Sequence, residues 1–562
     1  MNIQAVYHRP ESNYCYATDA KTIKLRIRFA KDEKIDNLRV LYNTKYHIAS
    51  EQLEKPLSKI ACDGVFDYYG VTLDLKDPRL AYVFYFEIND EPFYFCEDGI
   101  VTEYNFDLAY FNSFQVAYVN ESDVIENVKW LDNAVFYQIF VDRFCKSNKV
   151  SSFTNTAWSD LPTPKSFYGG DLYGIADNID YIKDLGATAI YLTPIFVSKS
   201  NHKYDTIDYF NVDPSFGGND ALEYLVEKAR EKNIKIVLDA VFNHVSQEFA
   251  PFADVKKNGK ESKYFDWFVI DGDTVGDNNE NVACFAECEY MPKLNACNEK
   301  VCEYLLNVAT YWIKKYDIDG WRLDVSDEVS HDFWRRMRRA VKSIKPSCVL
   351  IGENWHNSES FLSGDQFDCI MNYAVTKRMI DFWATESVDA DTLAEKMSGL
   401  YMRYNDVTNG MMYNLLDSHD TARFLTLVGN DESRLLSAIA TLVFLPGSFN
   451  LYYGTEILSE GNSDPDCRRA FDFEKLKNPK VRSFVAELKK VLAIKNMPAI
   501  KSGDVKFYSE NGNFVIERSC NEQTLKLSIL RGQKGLGNST FIGYNINNDG
   551  SAVPFIVKGE II

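Results

Sequence analysis

The sequence lacks long apolar runs and also lacks the opening of an exported protein. A membrane-spanning helix needs about 20 consecutive apolar residues, and no stretch of about eighteen occurs among the 562 positions. The first residues, MNIQAVYHRPESNYCY, show no basic segment followed by an apolar one, as a secretory signal would. We therefore expect a cytoplasmic protein without a membrane anchor.

Cysteine is too sparse for a fold held together by disulfides. The 12 cysteines are scattered along 562 residues, which is typical of reduced thiols rather than of a small disulfide framework. Cys284, Cys288, Cys297 and Cys302 do lie near one another in sequence. Their spacing is looser than the paired CxxC motifs of zinc sites, so we favour ordinary thiols over a zinc site there.

Positive charge is in the minority, which excludes two classes of partner. Lys and Arg number 62 against 81 Asp and Glu, for a net charge of −19. Such a surface repels phosphate backbones and anionic lipid, so we expect neither nucleic acid nor membrane as a partner. With 46% hydrophobic and 25% charged residues the chain has the composition of a globular protein, and its length predicts about two to four domains.

Both ends of the chain carry the alternating pattern of antiparallel strands. Segments such as TIKLRIRF and AYVFYFEI predict an N-terminal β-sandwich over residues 1–122. Similar segments return near Asn496, among them VKFYSE and LKLSILR, and predict a C-terminal β-sandwich over residues 496–562.

Between these ends, residues 123–495 alternate short apolar strands with amphipathic helices, which predicts an α/β fold with a parallel sheet. The eight candidate strands begin at Val135, Ala189, Lys235, Gly320, Val349, Cys369, Met412 and Phe449. Eight such units indicate a (β/α)8 TIM barrel. The connection 242–297 is far longer than a usual βα loop, so we predict an inserted small lobe after strand 3 that walls the cleft.

Polar residues follow several of these strands, at the barrel end where active sites occur. They are Asp239, Asn243 and His244 after strand 3, Arg322, Asp324 and Glu328 after strand 4, Glu353, Trp355 and His356 after strand 5, and His419, Asp420 and Arg423 after strand 7. Three acids, Asp324, Glu353 and Asp420, should therefore converge.

Two of these acids suit glycoside hydrolysis with retention, in which an ionised carboxylate attacks and a protonated one donates its proton. Arg322 lies two residues before Asp324, so on a strand both side chains face the same way and the guanidinium can keep the aspartate ionised. Glu353 precedes an aromatic residue and has only His356 as a basic neighbour in sequence, so desolvation can keep it protonated.

The segments DxxxNH, GxRxDxxxE, GExW and HD occur here in the order found in the α-amylase family of glycoside hydrolases, which the chain resembles over nearly its whole length. The MPKLN segment from Met291 to Asn295, with Glu328 and the opening AVYHRPESNY, resembles the cyclomaltodextrinase, neopullulanase and maltogenic amylase branch. The resemblance implies that Asp324 is the nucleophile, Glu353 the acid/base and Asp420 the transition-state stabiliser.

The resemblance also implies a set of substrate-binding residues. His244 and His419 resemble the family's binders of sugar hydroxyls, Tyr204 its stacking platform, and Asp464 and Arg468 a further sugar-contacting motif. The remaining candidates from the strand ends are Asp239, Arg322, Trp355 and Arg423, of which Asp239 and Arg423 could equally be structural supports. Four of the seven histidines, His202, His244, His356 and His419, fall within these motifs, which a chance arrangement would rarely produce.

The sequence departs from the branch where a calcium loop usually follows the first strand. The segment here, RFCKSNKVSSF, lacks most of the acidic ligands, and Asp171 and the carbonyl of Gly169 remain as candidates. Calcium generally needs about six to eight oxygens, so a calcium site here stays open as the less favoured alternative, and its ligands stay unassigned. Catalysis itself should require no cofactor.

The expected function is a retaining α-glucan hydrolase that cleaves α-1,4-glucosidic bonds in cyclodextrins, malto-oligosaccharides and pullulan through a covalent glycosyl-enzyme intermediate. A predominant transglycosylase is an alternative, because a sugar hydroxyl can replace water in the second step. A glucan-binding protein with little turnover is another, although the complete set of acids argues against it. We expect small α-glucans as substrates and a homodimer formed through the N-terminal domain.

Overall fold

The structure, a computed structural model, describes residues 1–532, 539–547, 549–557 and 560–561. Its contacts divide the chain into two compact units that are discontinuous in sequence. The first consists of Met1–Asn127, Ser387–Gly410 and Asp504–Glu517, and the second of Val128–Glu386, Met411–Gly503 and Arg518–Ile562. These units differ from the three consecutive predicted segments because helix Ala390–Met402 packs on the strands Ser58–Cys62 and Asp504–Glu510.

The first unit contains a sandwich of two antiparallel sheets, as the alternating pattern predicts. One sheet has the order Cys15–Asp19, Thr22–Ala30, Phe66–Asp74, Ser58–Cys62; the other has the order Leu53–Pro56, Asp36–Asn43, Leu80–Ile88, Glu91–Cys96, Gly99–Val101, with Phe114–Val116 paired to Leu80–Ile88. Inward side chains of both sheets, such as Leu25 and Phe84, form one shared core. Helices Ala109–Asn112 and Asp406–Asn409 complete the unit's helical segments, together with Ala390–Met402.

The second unit is built on an eight-stranded parallel sheet that forms the predicted barrel. In sequence order its strands are Val135–Ile139, Ala189–Leu192, Lys235–Ala240, Gly320–Leu323, Val349–Gly352, Cys369–Ile370, Tyr413–Leu415 and Ser448–Tyr452. Parallel pairing runs from each strand to the next, the last pairs with the first, and a bridge between Met371 and Tyr413 closes the remaining gap. All eight strands that we predicted are therefore present.

Helices surround the barrel, and their apolar faces are buried as expected for amphipathic segments. They are Leu172–Asp177, Ile179–Leu185, Gly218–Glu231, Glu299–Tyr316, His331–Ile344, Tyr373–Met379, Phe424–Leu427, Glu432–Phe444, Pro479–Ala493 and Pro498–Ser502. In His331–Ile344, for example, Phe333, Met337 and Val341 recur at helical spacing and are buried. Such a helix covers the sheet on one side and faces solvent on the other.

The long connection after barrel strand 3 folds as a small lobe, as predicted. It contains helix Ala250–Asn258, several short 3-10 turns and a hairpin of strands Cys284–Phe285 and Cys288–Pro292. A backbone bridge joins His244 to Lys293, so the two ends of the lobe lie side by side, and a second bridge joins Phe268 to Leu294 within the lobe.

The C-terminal segment is antiparallel β-structure. Strands Thr524–Leu530, Thr540–Ile546, Ala552–Val557 and Glu560–Ile561 pair in sequence order within one sheet, and Asp504–Glu510 and Asn513–Ser519 precede them. None of the helices in the described ranges is long and apolar enough to cross a bilayer.

Candidate active site

A cavity of about 520 Å³ opens at the carboxyl ends of the barrel strands. Its lining residues come from several strand ends and from the inserted lobe: His202, Tyr204, His244, Phe285, Cys288, Tyr290, Met291, Asp324, Val325, Asp327, Glu328, Glu353, Trp355, Asp420, Asp464 and Arg468. The three acids that the sequence singled out thus face one space.

Arg322 lies beneath this cavity and joins the acids. Its Nη1 lies 2.6 Å from Asp324 Oδ1 and 3.1 Å from Asp239 Oδ1, while its Nη2 lies 2.9 Å from Glu353 Oε2 and 3.8 Å from Asp420 Oδ2. The guanidinium is almost wholly buried. One cation therefore organises a cluster of carboxylates at the bottom of the cavity.

The parallel register explains why Asp239 and Arg322 meet. Asp239 is the direct partner of Arg322 in the pairing of barrel strands 3 and 4, so both side chains point into the barrel at the same level. Tyr191, on strand 2, donates a 2.5 Å hydrogen bond to Asp239. Burial nevertheless raises the pKa of Asp239 to about 6, with Arg322 acting in the opposite direction. Asp239 thus holds Arg322 from the neighbouring strand.

Burial also raises the pKa of the two acids proposed to act on substrate. For Asp324 the rise is large, and Arg322 opposes it. For Glu353 the causes are the same, burial first and then the opposing Arg322. The sequence predicted opposite pKa shifts for Asp324 and Glu353, because only Asp324 has an arginine nearby in sequence. In the structure both carboxyl groups contact Arg322, so the protonation state of one depends on that of the other.

The turn after Asp324 holds Glu353 in place. Val325 has φ 45° and ψ 46°, a left-handed conformation that is unusual for a β-branched residue. In this conformation its N–H donates a 3.0 Å hydrogen bond to Glu353 Oε2. Ser326 Oγ donates to the carbonyl of Glu353 at 2.6 Å. The strand 4 turn thus fixes both the backbone and the carboxyl group of the strand 5 acid.

His244 lies between Asp324 and the lobe. Its Nε2 is 3.9 Å from Asp324 Oδ2, and neither atom has a hydrogen-bond partner within the part of the chain that the structure describes, although both are buried. Phe285, from the lobe hairpin, stacks on the imidazole with ring centroids 4.7 Å apart. Burial lowers the pKa of His244 to about 3, so the ring is neutral near pH 7.

The opposite side of the cavity is formed around Asp420. Arg468 Nη2 lies 3.3 Å from Asp420 Oδ1, and its Nη1 lies 2.9 Å from Asp464 Oδ1. Arg468 Nε also donates to the carbonyl of His419 at 2.7 Å. Arg468 therefore ties the strand 7 segment to the segment that carries Asp464.

Two aromatic residues contribute flat surfaces. Tyr204 lines the cavity, and its hydroxyl contacts both Asp239 Oδ2, at 3.1 Å, and His419 Nε2. Trp355 is 51% exposed and lies parallel to Tyr373, with ring centroids 3.6 Å apart. Because Tyr373 supports the indole from behind, one face of Trp355 remains available to a sugar ring.

The structure separates the predicted residues into two groups. Those on the cavity wall are Asp324, Glu353, Asp420, Tyr204, His244, Trp355, Asp464 and Arg468, whereas Asp239, Arg322, His419 and Arg423 do not line it. Arg423 bonds instead to the carbonyls of Cys467 and Tyr453, which makes it a support of the strand 8 loop.

Sequence reasoning assigned no place on the cavity wall to the individual lobe residues that complete it. Phe285, Cys288, Tyr290 and Met291 all line the cavity. The long connection indicated that a lobe would wall the cleft, but its hairpin brings Phe285 to His244, 41 positions earlier in the sequence, a contact that no local pattern indicates.

The candidate calcium ligand Asp171 has a structural role here. Its two oxygens accept backbone hydrogen bonds from Gly174 and Ser147, each 2.8 Å long, and it caps helix Leu172–Asp177. Among the residues with described positions, no group of three or more His, Cys, Asp or Glu side chains could hold a metal ion. Both oxygens of this candidate ligand are thus engaged by backbone N–H groups.

Comparison with known proteins agrees with this geometry. The profile of the alpha amylase catalytic domain matches residues 138–490, and that of the alpha amylase N-terminal Ig-like domain matches residues 1–120. The chain is 39% identical over 542 residues to a cyclomaltodextrinase of Geobacillus thermopakistaniensis (strain MAS1), covering 94% of this chain and 91% of that protein. It is 40% identical over 484 residues to an intracellular maltogenic amylase of Bacillus subtilis, covering 85% and 82%. A solved cyclomaltodextrinase structure matches with a TM-score of 0.89 at 37% identity, covering 94% and 91% of the two chains. The chain belongs to the α-amylase family of glycoside hydrolases.

Proposed function

We propose that the enzyme hydrolyses α-1,4-glucosidic bonds of small α-glucans with retention, acting on cyclodextrins, malto-oligosaccharides and pullulan. One observation carries the proposal: Asp324 Oδ1 is held by Arg322, while Asp324 Oδ2 accepts no hydrogen bond from the described residues, and Asp324 and Glu353 line the same cavity. An oriented carboxylate with one free oxygen, beside a second carboxyl group, is the arrangement that a double displacement requires.

In the proposed first step, Asp324 Oδ2 attacks the anomeric carbon and forms a glycosyl ester. Glu353 donates its proton to the departing glycosidic oxygen, so the bond to the leaving sugar breaks as the ester forms. Ionisation of all three carboxyl groups that contact Arg322 is unfavourable, because one guanidinium cannot balance three negative charges. We therefore propose that one of the three is protonated and that the proton is on Glu353. In the second step Glu353 takes a proton from water, the water oxygen attacks the anomeric carbon and the ester bond to Asp324 breaks, so the sugar is released with its original anomeric configuration.

Other residues would stabilise the oxocarbenium-like transition state. Asp420 has a negative charge oriented by Arg468, and we assign it the stabilising role. His244 has a neutral ring with an unpartnered Nε2, suited to a sugar hydroxyl. Tyr204 would stack against the sugar at the cleaved bond, and Trp355 would support a neighbouring sugar ring.

The decisive experiment follows the products on three substrates at matched concentration: cyclodextrin, pullulan and a linear maltodextrin, each with a labelled glucose acceptor. NMR of the first product should show retained α configuration, with most label remaining in free acceptor. Inverted product would refute the double displacement. Transfer of most glycosyl units to the acceptor would instead identify a transglycosylase.

We propose a homodimer that uses the N-terminal sandwich. The segment after strand Gly99–Val101 exposes three apolar side chains close together in sequence, Leu108, Tyr110 and Phe111, the last 79% exposed. Exposed apolar clusters of this kind are typical of interaction surfaces. Cytoplasmic location belongs to the same proposal, since the Bacillus subtilis relative is named as intracellular.

Light scattering tests the dimer directly. The double variant Tyr110→Ser/Phe111→Ser should shift the molecular mass to that of a monomer, whereas Phe153→Ser, which alters an equally exposed aromatic residue of the other unit, should not. A wild-type monomer at micromolar concentration would rule out the dimer without affecting the assignment of the active site.

A further inference from the structure

Gln138, on barrel strand 1, contacts His419 although no motif pointed to it. Its side chain is fully buried, and its Nε2 lies 2.7 Å from His419 Nδ1. Its Oε1 accepts a 3.0 Å hydrogen bond from Asn450 Nδ2, on barrel strand 8. Since that oxygen is engaged by Asn450, the N–H group of Gln138 is directed at the imidazole.

The direction of donation along these hydrogen bonds, from Asn450 through Gln138 to His419, can be assigned from the two ends of the series. At one end, the Tyr413 hydroxyl donates to Asn450 Oδ1 at 2.7 Å, which leaves the Asn450 amide N–H to donate to Gln138. At the other end, His419 Nε2 contacts the Tyr204 hydroxyl and lies 3.2 Å from Asp420 Oδ2.

A proton on His419 Nε2 fits these neighbours, and a lone pair there does not. A lone pair would face the anionic Asp420 oxygen and repel it. The Tyr204 hydroxyl can give its own proton to Asp239 Oδ2, at 3.1 Å, only if it accepts from His419. The opposite direction of donation would therefore place a lone pair, rather than a proton, of His419 against Asp420 and of Tyr204 against Asp239.

We propose that Gln138 is a positioning residue that fixes His419 as the neutral tautomer with its proton on Nε2. In this state His419 donates towards Tyr204 and Asp420, and so orients one wall of the site. The proposal rests on the proposed function only in assigning catalytic importance to Asp420 and Tyr204.

The electrostatic surroundings agree with a neutral ring. Burial lowers the pKa of His419 well below its usual value, and the nearby Arg468, Arg322 and His202 act in the same direction. The anionic group that faces it is Asp420. With the charge excluded, only the choice between the two tautomers remains, and the hydrogen bond to Nδ1 makes that choice.

The first test reads the tautomer without substrate. Histidine-selective ¹⁵N labelling of the full chain, with the His419 signals identified by their loss in His419→Gln, should show an unprotonated Nδ1 and a protonated Nε2. In Gln138→Glu the new carboxylate accepts at Nδ1, so a proton should appear on that nitrogen. A wild-type spectrum with Nδ1 protonated would overturn the proposal.

The second test measures turnover. Gln138→Met keeps the length of the side chain but removes the donor, and kcat on maltodextrin should fall by about 10–100-fold, more than KM changes. Gln138→Glu should in addition displace the acid limb of the kcat profile upwards, because the carboxylate favours protonated His419.

Asn414→Leu is the matched control. Asn414 is an equally buried amide on barrel strand 7 and bonds to the carbonyls of Pro446 and Ser448 rather than to His419. It should lose stability without a change in the pH profile. If Gln138→Met, folded, retains the kcat of this control, the positioning role is refuted. If the wild-type tautomer is as stated but the enzyme hydrolyses no α-glucan, only the proposed function fails.

Discussion

Replacement of Arg322 by Met tests the organisation of the acid cluster. The guanidinium is 1% exposed and lies within about 3 Å of three carboxylates, those of Asp239, Asp324 and Glu353. Fully ionised, this set has a formal charge of −2 with Arg322 present and −3 without it. Methionine fills a similar volume but leaves the carboxylates without a cation, so one or more must be protonated in the folded state.

The cost can be worked from this charge change. Removal of one partner from a buried charge pair costs roughly 3–5 kcal/mol, so the free energy of unfolding at pH 7 should fall by about 4 kcal/mol. The loss of unfolding free energy should become smaller as the pH falls towards 5, because protonation of the carboxyl groups, which removes their repulsion in the folded variant, is then easier. Activity should fall by about 10²–10³-fold, because Asp324 and Glu353 lose the cation that orients them in the cavity.

Urea unfolding at pH 7 and pH 5, combined with kcat on maltodextrin, provides the measurement. Arg338→Met is the control, since Arg338 makes a buried 2.8 Å ion pair with Asp368 and lines no part of the cavity. That variant should lose stability and keep its kcat. An Arg322→Met protein that unfolds at the wild-type urea concentration, or retains wild-type turnover, would contradict the role assigned to the guanidinium.

Three further outcomes are expected. Asp324→Asn and Glu353→Gln should each lower kcat on maltodextrin by at least about 10²–10⁴-fold, but on an aryl glycoside with a good leaving group Glu353→Gln should form the glycosyl-enzyme far faster; equal rates would contradict the separate roles. Exhaustive chelation should neither abolish activity nor lower the melting temperature, because Asp171 is engaged by backbone N–H groups, and a drop reversed specifically by calcium would contradict this. Burial lowers the pKa of His8 from 6.5 to about 3, so the unfolded chain binds its proton first and stability is lost as the pH falls below 6.5. At pH 5 this amounts to about 2 kcal/mol, and unfolding of His8→Gln should show a pH 7 to 5 decrease smaller by that amount than the wild type; equal decreases would refute it.

The barrel and its acids could be predicted from sequence because both depend on local patterns. Each strand is a short apolar run followed by polar residues, and parallel strands bring those residues to one end. The segment that ends with Asp324 and the one that ends with Glu353 were therefore placed together without any knowledge of contacts between them. The resemblance to a family added roles, and it added three positions that no strand end indicated, Tyr204, Asp464 and Arg468.

The supporting residues could not be predicted in the same way. Gln138 lies inside an apolar strand, where a single polar residue gives no sign of its partner, and its contact with His419 spans 281 positions. Arg423 follows a strand as the acids do, yet its side chain turns to the carbonyls of Tyr453 and Cys467. Sequence position at a strand end indicates a layer of the barrel but not the direction of a side chain within it.

The lobe meets the barrel at His244. Through this contact, the part of the lobe that shapes the cavity is connected to Asp324, the proposed nucleophile. The barrel contributes the charge of Arg322, whose position is set by the register of strands 3 and 4. The lobe contributes the apolar ring of Phe285, which stacks on His244. Lys293, in the lobe, lies 3.1 Å from Glu328 Oε2 and is bridged to His244 through the backbone. A displacement of the hairpin would therefore move the imidazole that lies 3.9 Å from Asp324. The same hairpin lines the cavity and contacts His244, which lies beside Asp324, the proposed nucleophile. Changes in the lobe should therefore alter turnover as well as substrate preference.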